Sequence, residues 1–185
     1  MPAGRTHDRI TLWGLPVIVS VTFIQTRSGN STLIVAGAYL FSALMFGPDL
    51  DLYSIQYKRW GYLRWLWIPY QKMLRHRSMW SHGLIVGTVL RVLYLGIWIA
   101  FVAIFGLGVT HLIWGVELSW QRLVAVGQRS LLQNKTEWML LFLGLELGAM
   151  SHSLSDWGSS AYQRFNQSRG KMKKRKGSTR RQRRK

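Results

Sequence analysis

The sequence predicts an all-α integral membrane protein: a four-helix bundle with an extra distal helix and a disordered basic C-terminal tail. Three observations predict it. Apolar blocks recur at Ile10–Ile24, Ser31–Gly47, Leu84–Val116 and Trp138–Met150, and Trp and Tyr cluster between them. Of the 25 Lys and Arg residues, 12 fall in Arg164–Lys185, which holds no acid, so the net charge of +18 is mostly a tail. The mean hydropathy of +0.04 averages these opposites and by itself decides nothing.

A hydrocarbon core of about 30 Å takes about 20 residues of helix. The first block makes helix one, and the second reaches that length with its flanks. The third overshoots it. We therefore expect a spanning helix from about His82 to Phe105, a break at Gly106 and Gly108, and a second helix over Val109–Leu132 that lies on or packs against the far side. The fourth block supplies the last helix. Leu84–Val116 carries a single charge, Arg91, which argues against a soluble helical core. No small-residue cleavage pattern follows the first block cleanly, which argues against a signal peptide. Tyr53, Tyr57, Trp60, Tyr62, Trp65, Trp67 and Tyr70, with Trp114 and Trp120, form the aromatic belt expected where helices meet headgroups.

If each block crosses once, the N-terminus, the Leu50–Ser81 loop and the tail share one side. That side holds 20 basic residues and the other holds four: Arg27, Arg122, Arg129 and Lys135. The positive-inside bias then puts both termini in the cytoplasm, at a bacterial inner or internal membrane. Residues 1–163 form the membrane-embedded domain and 164–185 the polybasic tail.

On this topology the chemistry gathers at one end. His7 and Asp8 stand before helix one, Asp49 and Asp51 after helix two, His76 and His82 before helix three, and His152 and Asp156 at the end of helix four. Asp49 and Asp51 repel each other unless a cation relieves them. His152 and Asp156, four apart, share one helical face. Asp8 also suits the N-cap of helix one. His111 falls in the distal segment and reads as a packing or interfacial histidine.

The chain has no Cys, which excludes disulfides, thiolate nucleophiles, iron–sulfur clusters and Cys zinc sites. Imidazole with carboxylate suits Zn, Mn, Fe or Ni better than Mg or Ca. One or two such ions would serve hydrolysis by acidifying water and clamping phosphoester oxygens. Deeper in the bundle, Arg91 and Glu146 suit a buried pair, with Glu146 as a general base beneath the metal being the alternative. The Gly83–Gly87 and Gly144–Gly148 spacings would let helices three and four pack closely.

The ordered set Gly4-Arg5-Thr6-His7-Asp8, Gly47-Pro48-Asp49-Leu50-Asp51, His76-Arg77-Ser78 with Trp80-Ser81-His82-Gly83, and His152-Ser-Leu-Ser-Asp156-Trp157 resembles a bacterial family of uncharacterised metal-binding membrane proteins. It is also similar to the membrane-bound metal-dependent hydrolase family and, more remotely, to zinc-dependent phospholipase C. The resemblance covers roughly Gly4 to Trp157. It implies His7, Asp49, Asp51, His76, His82, His152 and Asp156 as metal ligands. Two departures stand out: Leu52 where the hydrolase family often has His, and a His76–His82 spacing one residue longer than that family's.

Two functions follow. One is a metal-dependent hydrolase of a phosphoester, a lipid-linked one included, at the cytoplasmic face, with Asp51 or Asp156 orienting water and Glu146 as the candidate base. The other is a non-catalytic scaffold whose helix ends are stapled by metal. The tail suits anionic lipid headgroups, or RNA without sequence specificity, since no base-reading module is present.

Overall fold

The computed structural model describes the backbone of residues 4–74, 83, 85–115 and 119–182, and side chains within 7–158 of that range together with 162 and 165. Every regular element among the described residues is helical, as the apolar blocks predict. In chain order they are α1 (Gly4–Thr26), α2 (Gly29–Met45), a 3-10 turn (Pro48–Asp51), α3 (Ile55–Arg59), a 3-10 segment (Gly61–Trp67), α4 (Ile68–Met73), α5 (Val86–Trp114), α6 (Trp120–Gln133) and α7 (Lys135–Gln182).

Helix α1 begins at Gly4, ahead of the apolar block, so His7 and Asp8 lie inside it. Asp8 is therefore not the N-cap. Polar residues at a helix start obey backbone hydrogen bonding as readily as apolar ones, and the apolar boundary is no guide to the helical one. At the other end the Thr26 hydroxyl donates to the Thr22 carbonyl at 2.8 Å, and Arg27 turns the chain with φ of 51°. Ser28 then caps α2 by accepting from the Ser31 amide at 3.3 Å. This local chemistry folds α1 and α2 into a tight hairpin.

The closest packing joins α2 to α7, and glycine makes it so. A Cβ on Gly144 would lie 2.5 Å from the Val35 carbonyl oxygen, and one on Gly148 would lie 2.5 Å from that of Tyr39. Only glycine allows backbones to approach this nearly. The Gly144–Gly148 pattern therefore packs against α2, and not against the third apolar helix as the spacing alone suggested. Tyr39 lies in the same interface, and its hydroxyl donates to the Thr11 carbonyl at 3.2 Å, which ties in α1.

Beyond α2 the chain folds beneath the helix ends. Gln56 donates from Nε2 to the Ala43 carbonyl at 2.9 Å, and Gly47 leaves it room to do so. Phe46, Leu50, Tyr57, Trp67, Tyr70 and Leu145 make the core here. Trp67, Tyr57 and Tyr70 thus belong to the interior and correct the aromatic-belt reading. Tyr53, Tyr62 and Trp65 remain exposed, as a belt requires. Aromatic residues serve packed cores and bilayer interfaces alike, so composition does not separate the two.

Helix α5 is continuous through Gly106 and Gly108, contrary to the expected break. Glycine costs about 1 kcal/mol in a helix interior, too little to interrupt a 29-residue apolar helix. The helix stops instead at Gly115, whose φ of 63° is the left-handed cap that glycine adopts freely. Ser119 caps α6, which has no buried residue. Trp138–Met150 is the apolar part of α7, and at 13 residues it falls short of a crossing by itself. Helix α7 runs on through Gln182, into the segment for which composition predicts disorder. Lys, Arg and Gln are good helix formers and need no core to be locally helical.

Three helices are long and apolar enough to cross a membrane: His7–Thr26, Gly29–Asp51 and Val86–Trp114.

Candidate metal centre

The first turns of α1, the turn after α2 and the middle of α7 meet at one end of the bundle, and they bring His7, Asp49, His152 and Asp156 together. The rings of His7 and His152 stack with centroids 4.3 Å apart. His7 Nε2 lies 3.3 Å from Asp156 Oδ1. His152 Nε2 lies 3.1 Å from Asp49 Oδ2 and 3.7 Å from Asp156 Oδ2. His7, His152 and Asp156 each offer a ligand atom within 4.8 Å of the others. The four-residue spacing of His152 and Asp156 on α7 does what the helical period predicts.

Hydrogen-bond accounting shows what the cluster needs. The Ser155 hydroxyl donates its one hydrogen to the His152 carbonyl at 2.8 Å. Its oxygen also meets His7 Nδ1, and this contact turns the ring so that Nε2 faces the Asp156 carboxylate. A positive charge is favoured between a ring nitrogen and a carboxylate. Protonating both histidines would stack two imidazolium rings face to face, whereas one metal ion would serve both rings.

His152 points the same way. It is buried, and neither of its ring nitrogens makes a hydrogen bond among the described residues, although Nε2 lies close to two carboxylates. Close approach without N–H···O alignment is what two ligands of one ion show. Metal–nitrogen and metal–oxygen bonds of about 2.0–2.2 Å put neighbouring ligand atoms about 3.0–3.5 Å apart. The separations of 3.1 and 3.3 Å fall in that range, and 3.7 Å lies just outside it. The donor set fits a transition-metal ion held by His7, Asp49, His152 and Asp156.

The other expected members sit differently. Asp8 receives a two-pronged bond from Arg59, at 3.0 and 2.6 Å. Asp51 is buried two residues beyond Asp49, in the same 3-10 turn. Asp51 acts electrostatically on Arg91 and Tyr70. Burial is the main influence on the Tyr70 phenol and pushes its pKa up, keeping it neutral beside Arg91. His76 and His82 lie outside the described residues. His111 lies exposed in the last turn of α5, apart from this cluster.

Glu146 does structural work here. Its Oε1 accepts from the Ile85 amide at 2.9 Å, where Ile85 holds a strained φ of 67° at the start of α5. Buried Arg91 donates to Thr88 Oγ1 at 3.0 Å and is a charge neighbour of Glu146, Tyr70 and Asp51. The expected pairing of Arg91 with Glu146 thus takes the form of a shared polar cluster.

Beside these four residues lies a cavity of about 120 Å³ lined by Asp8, Ser54, Gln56 and Arg59 as well. Sequence reasoning missed Arg59 and Ser155. Ser155 was within reach, since it sits three residues after His152 on the same helical face. Arg59 gave no such signal.

A family model described as "Uncharacterized metal-binding protein (DUF2227)" matches residues 2–166. The chain belongs to this family. It is also similar to an "Uncharacterized protein" of Aquifex aeolicus (strain VF5), 38% identical over 58 residues, which is 31% of this chain and 40% of that one. The match thus spans less than half of that relative's length. No solved structure matches. The family description and the buried His152 ring, whose nitrogens make no hydrogen bond among the described residues, agree on metal binding.

Proposed function

We propose that this family member is a membrane-embedded, metal-dependent hydrolase of a phosphoester, working at the cytoplasmic face of a bacterial membrane. The observation that carries the reading is the openness of the site. Asp49 and Asp156 keep 22% and 25% of their side-chain surface exposed, and the adjoining cavity has the volume of about four waters. A structural metal site is closed, whereas a catalytic one leaves a position for water or substrate.

A transition-metal ion at these ligands would supply neutralising charge to phosphoryl oxygens and make water more acidic at neutral pH. The chain's own groups divide the rest of the work. Ser155 fixes the His7 ring so that Nε2 faces the site. Asp8 and the Leu44 carbonyl hold Arg59 at the cavity, where its remaining guanidinium donors suit a phosphoryl oxygen. Asp156, beside both rings, would orient the attacking water. Asp51, the other carboxylate offered for that task, is a charge neighbour of Arg91. The basic residues of α7 beyond Arg164 favour anionic headgroups on the same side, with RNA as the other polyanion they suit.

The test is turnover of phosphodiester and lipid-phosphate substrates by purified protein, with and without added Zn, Mn, Fe or Ni. Metal-dependent release of product, lost in Asp156→Asn, supports the reading. A second reading, a metal staple without catalysis, is favoured by one observation: the ligands come from three separate elements. Bound metal with no turnover across the panel would select it.

A further inference from the structure

Deepening the reading above and resting on its phosphoester chemistry, we propose that the apolar groove between α2, α5 and α7 holds the hydrocarbon chain of a membrane lipid whose phosphoester reaches the His7–His152 site. The groove encloses about 600 Å³ and no charged residue lines it. That volume lies within the range of about 300–1,000 Å³ found for ligand sites. Its walls include Leu33, Gly37 and Phe41 of α2 and Gly96 and Ile99 of α5. A Cβ placed on Gly37 or Gly96 would meet nothing within 4 Å, so these two glycines widen the groove instead of closing a helix contact.

The occupant follows from place and continuity. Helices α2 and α5 are both long and apolar enough to cross a membrane, and a groove between them opens into hydrocarbon, where lipid chains are the abundant apolar ligand. The third wall, Trp138, Leu141 and Leu145 of α7, shares its helical stripe with His152 and Asp156, at spacings of three, four and seven residues. From Leu145 to His152 the rise is about 10 Å. A lipid phosphate stands above its chains by a comparable distance, since the polar zone adds about 5–8 Å on each side of the hydrocarbon. Arg59 at the site complements the negative charge that would arrive there.

The experiment uses the full chain reconstituted in phosphatidylethanolamine–phosphatidylglycerol vesicles doped with phosphatidylglycerol bearing a diazirine acyl chain. After irradiation the labelled peptides are mapped. Labelling is expected to concentrate around Phe41 and Ile99, above that at Trp13 and Val17 on the exposed face of α1. In a Gly37→Leu/Gly96→Leu variant it should fall about tenfold, because two or three methylenes are excluded from the groove. Metal content should stay at the wild-type level, which shows that the variant is folded.

Equal labelling of groove and α1, indifferent to the leucines, would overturn the proposal. So would a change of oligomeric mass in the variant, which would assign the groove to a second copy of the chain. Labelling and metal content are read without turnover. A failure of the hydrolase reading is therefore distinguishable from a failure of this one: selective labelling without catalysis defeats only the former.

Discussion

His7 stacks on His152 with ring centroids 4.3 Å apart, joining the start of α1 to the middle of α7. The rings meet where Asp156 faces both of them, at 3.3 and 3.7 Å. The pair links the fold to the candidate site, because it joins two helices that lie far apart in the sequence.

Loss of His152 should be severe. It is buried and faces two carboxylates, so His152→Ala removes a ligand and leaves Asp49 and Asp156 repelling each other. Outer partners of metal ligands are worth 10–100-fold in affinity, and a ligand itself should cost more than about 100-fold. Metal titration by calorimetry checks this, with Arg59→Ala as the comparison.

Arg59→Ala should leave the fold almost unchanged. Its pair with Asp8 is about one-third exposed, and such pairs are worth about 0.2–1 kcal/mol. Metal affinity should stay near wild type, while binding of inorganic phosphate to the metal-loaded protein should weaken. Equal phosphate affinity in both proteins would remove Arg59 from the site.

Gly148→Leu should separate α2 from α7. The added side chain meets the Tyr39 carbonyl and Ser42, and overpacking costs about 1–3 kcal/mol or more. Thermal unfolding in detergent is expected to occur at a lower temperature, and metal binding should weaken because His152 moves with α7. Gly37→Leu, at an open position, should do neither.

Glu146 separates structure from catalysis. If it anchors the start of α5, Glu146→Gln keeps an acceptor for the Ile85 amide, whereas Glu146→Ala leaves that amide without one at about 1–3 kcal/mol. The alanine variant should therefore melt below the glutamine variant. Equal stability of the two, with turnover lost in both, would restore Glu146 as the general base.

The bundle was legible where hydrophobic blocks and helical spacing carry the information. His152 and Asp156 share a face by period alone, and the alternation of crossings put His7 and Asp49 at the same end. The rest depended on packing. Whether Gly144 and Gly148 admit α2 or α5 is decided by Val35 and Tyr39 lying against them, and no periodicity shows that. Trp67 looked like a belt residue until its ring was found among Phe46, Trp60, Tyr70 and Tyr94. Arg59 and Asp8 meet across 51 residues, a separation over which sequence patterns are silent. Gly106 and Gly108 misled because a glycine inside an apolar helix weakens it without ending it.

The most direct test is elemental analysis of the full chain purified under metal-replete conditions, beside His152→Ala and a His7→Ala variant. The wild type is expected to carry one or two equivalents of a transition metal, and each variant to lose most of it. Wild-type protein that is folded and free of transition metal, or variants that retain it in full, would contradict the assignment of His7, Asp49, His152 and Asp156 as a metal centre.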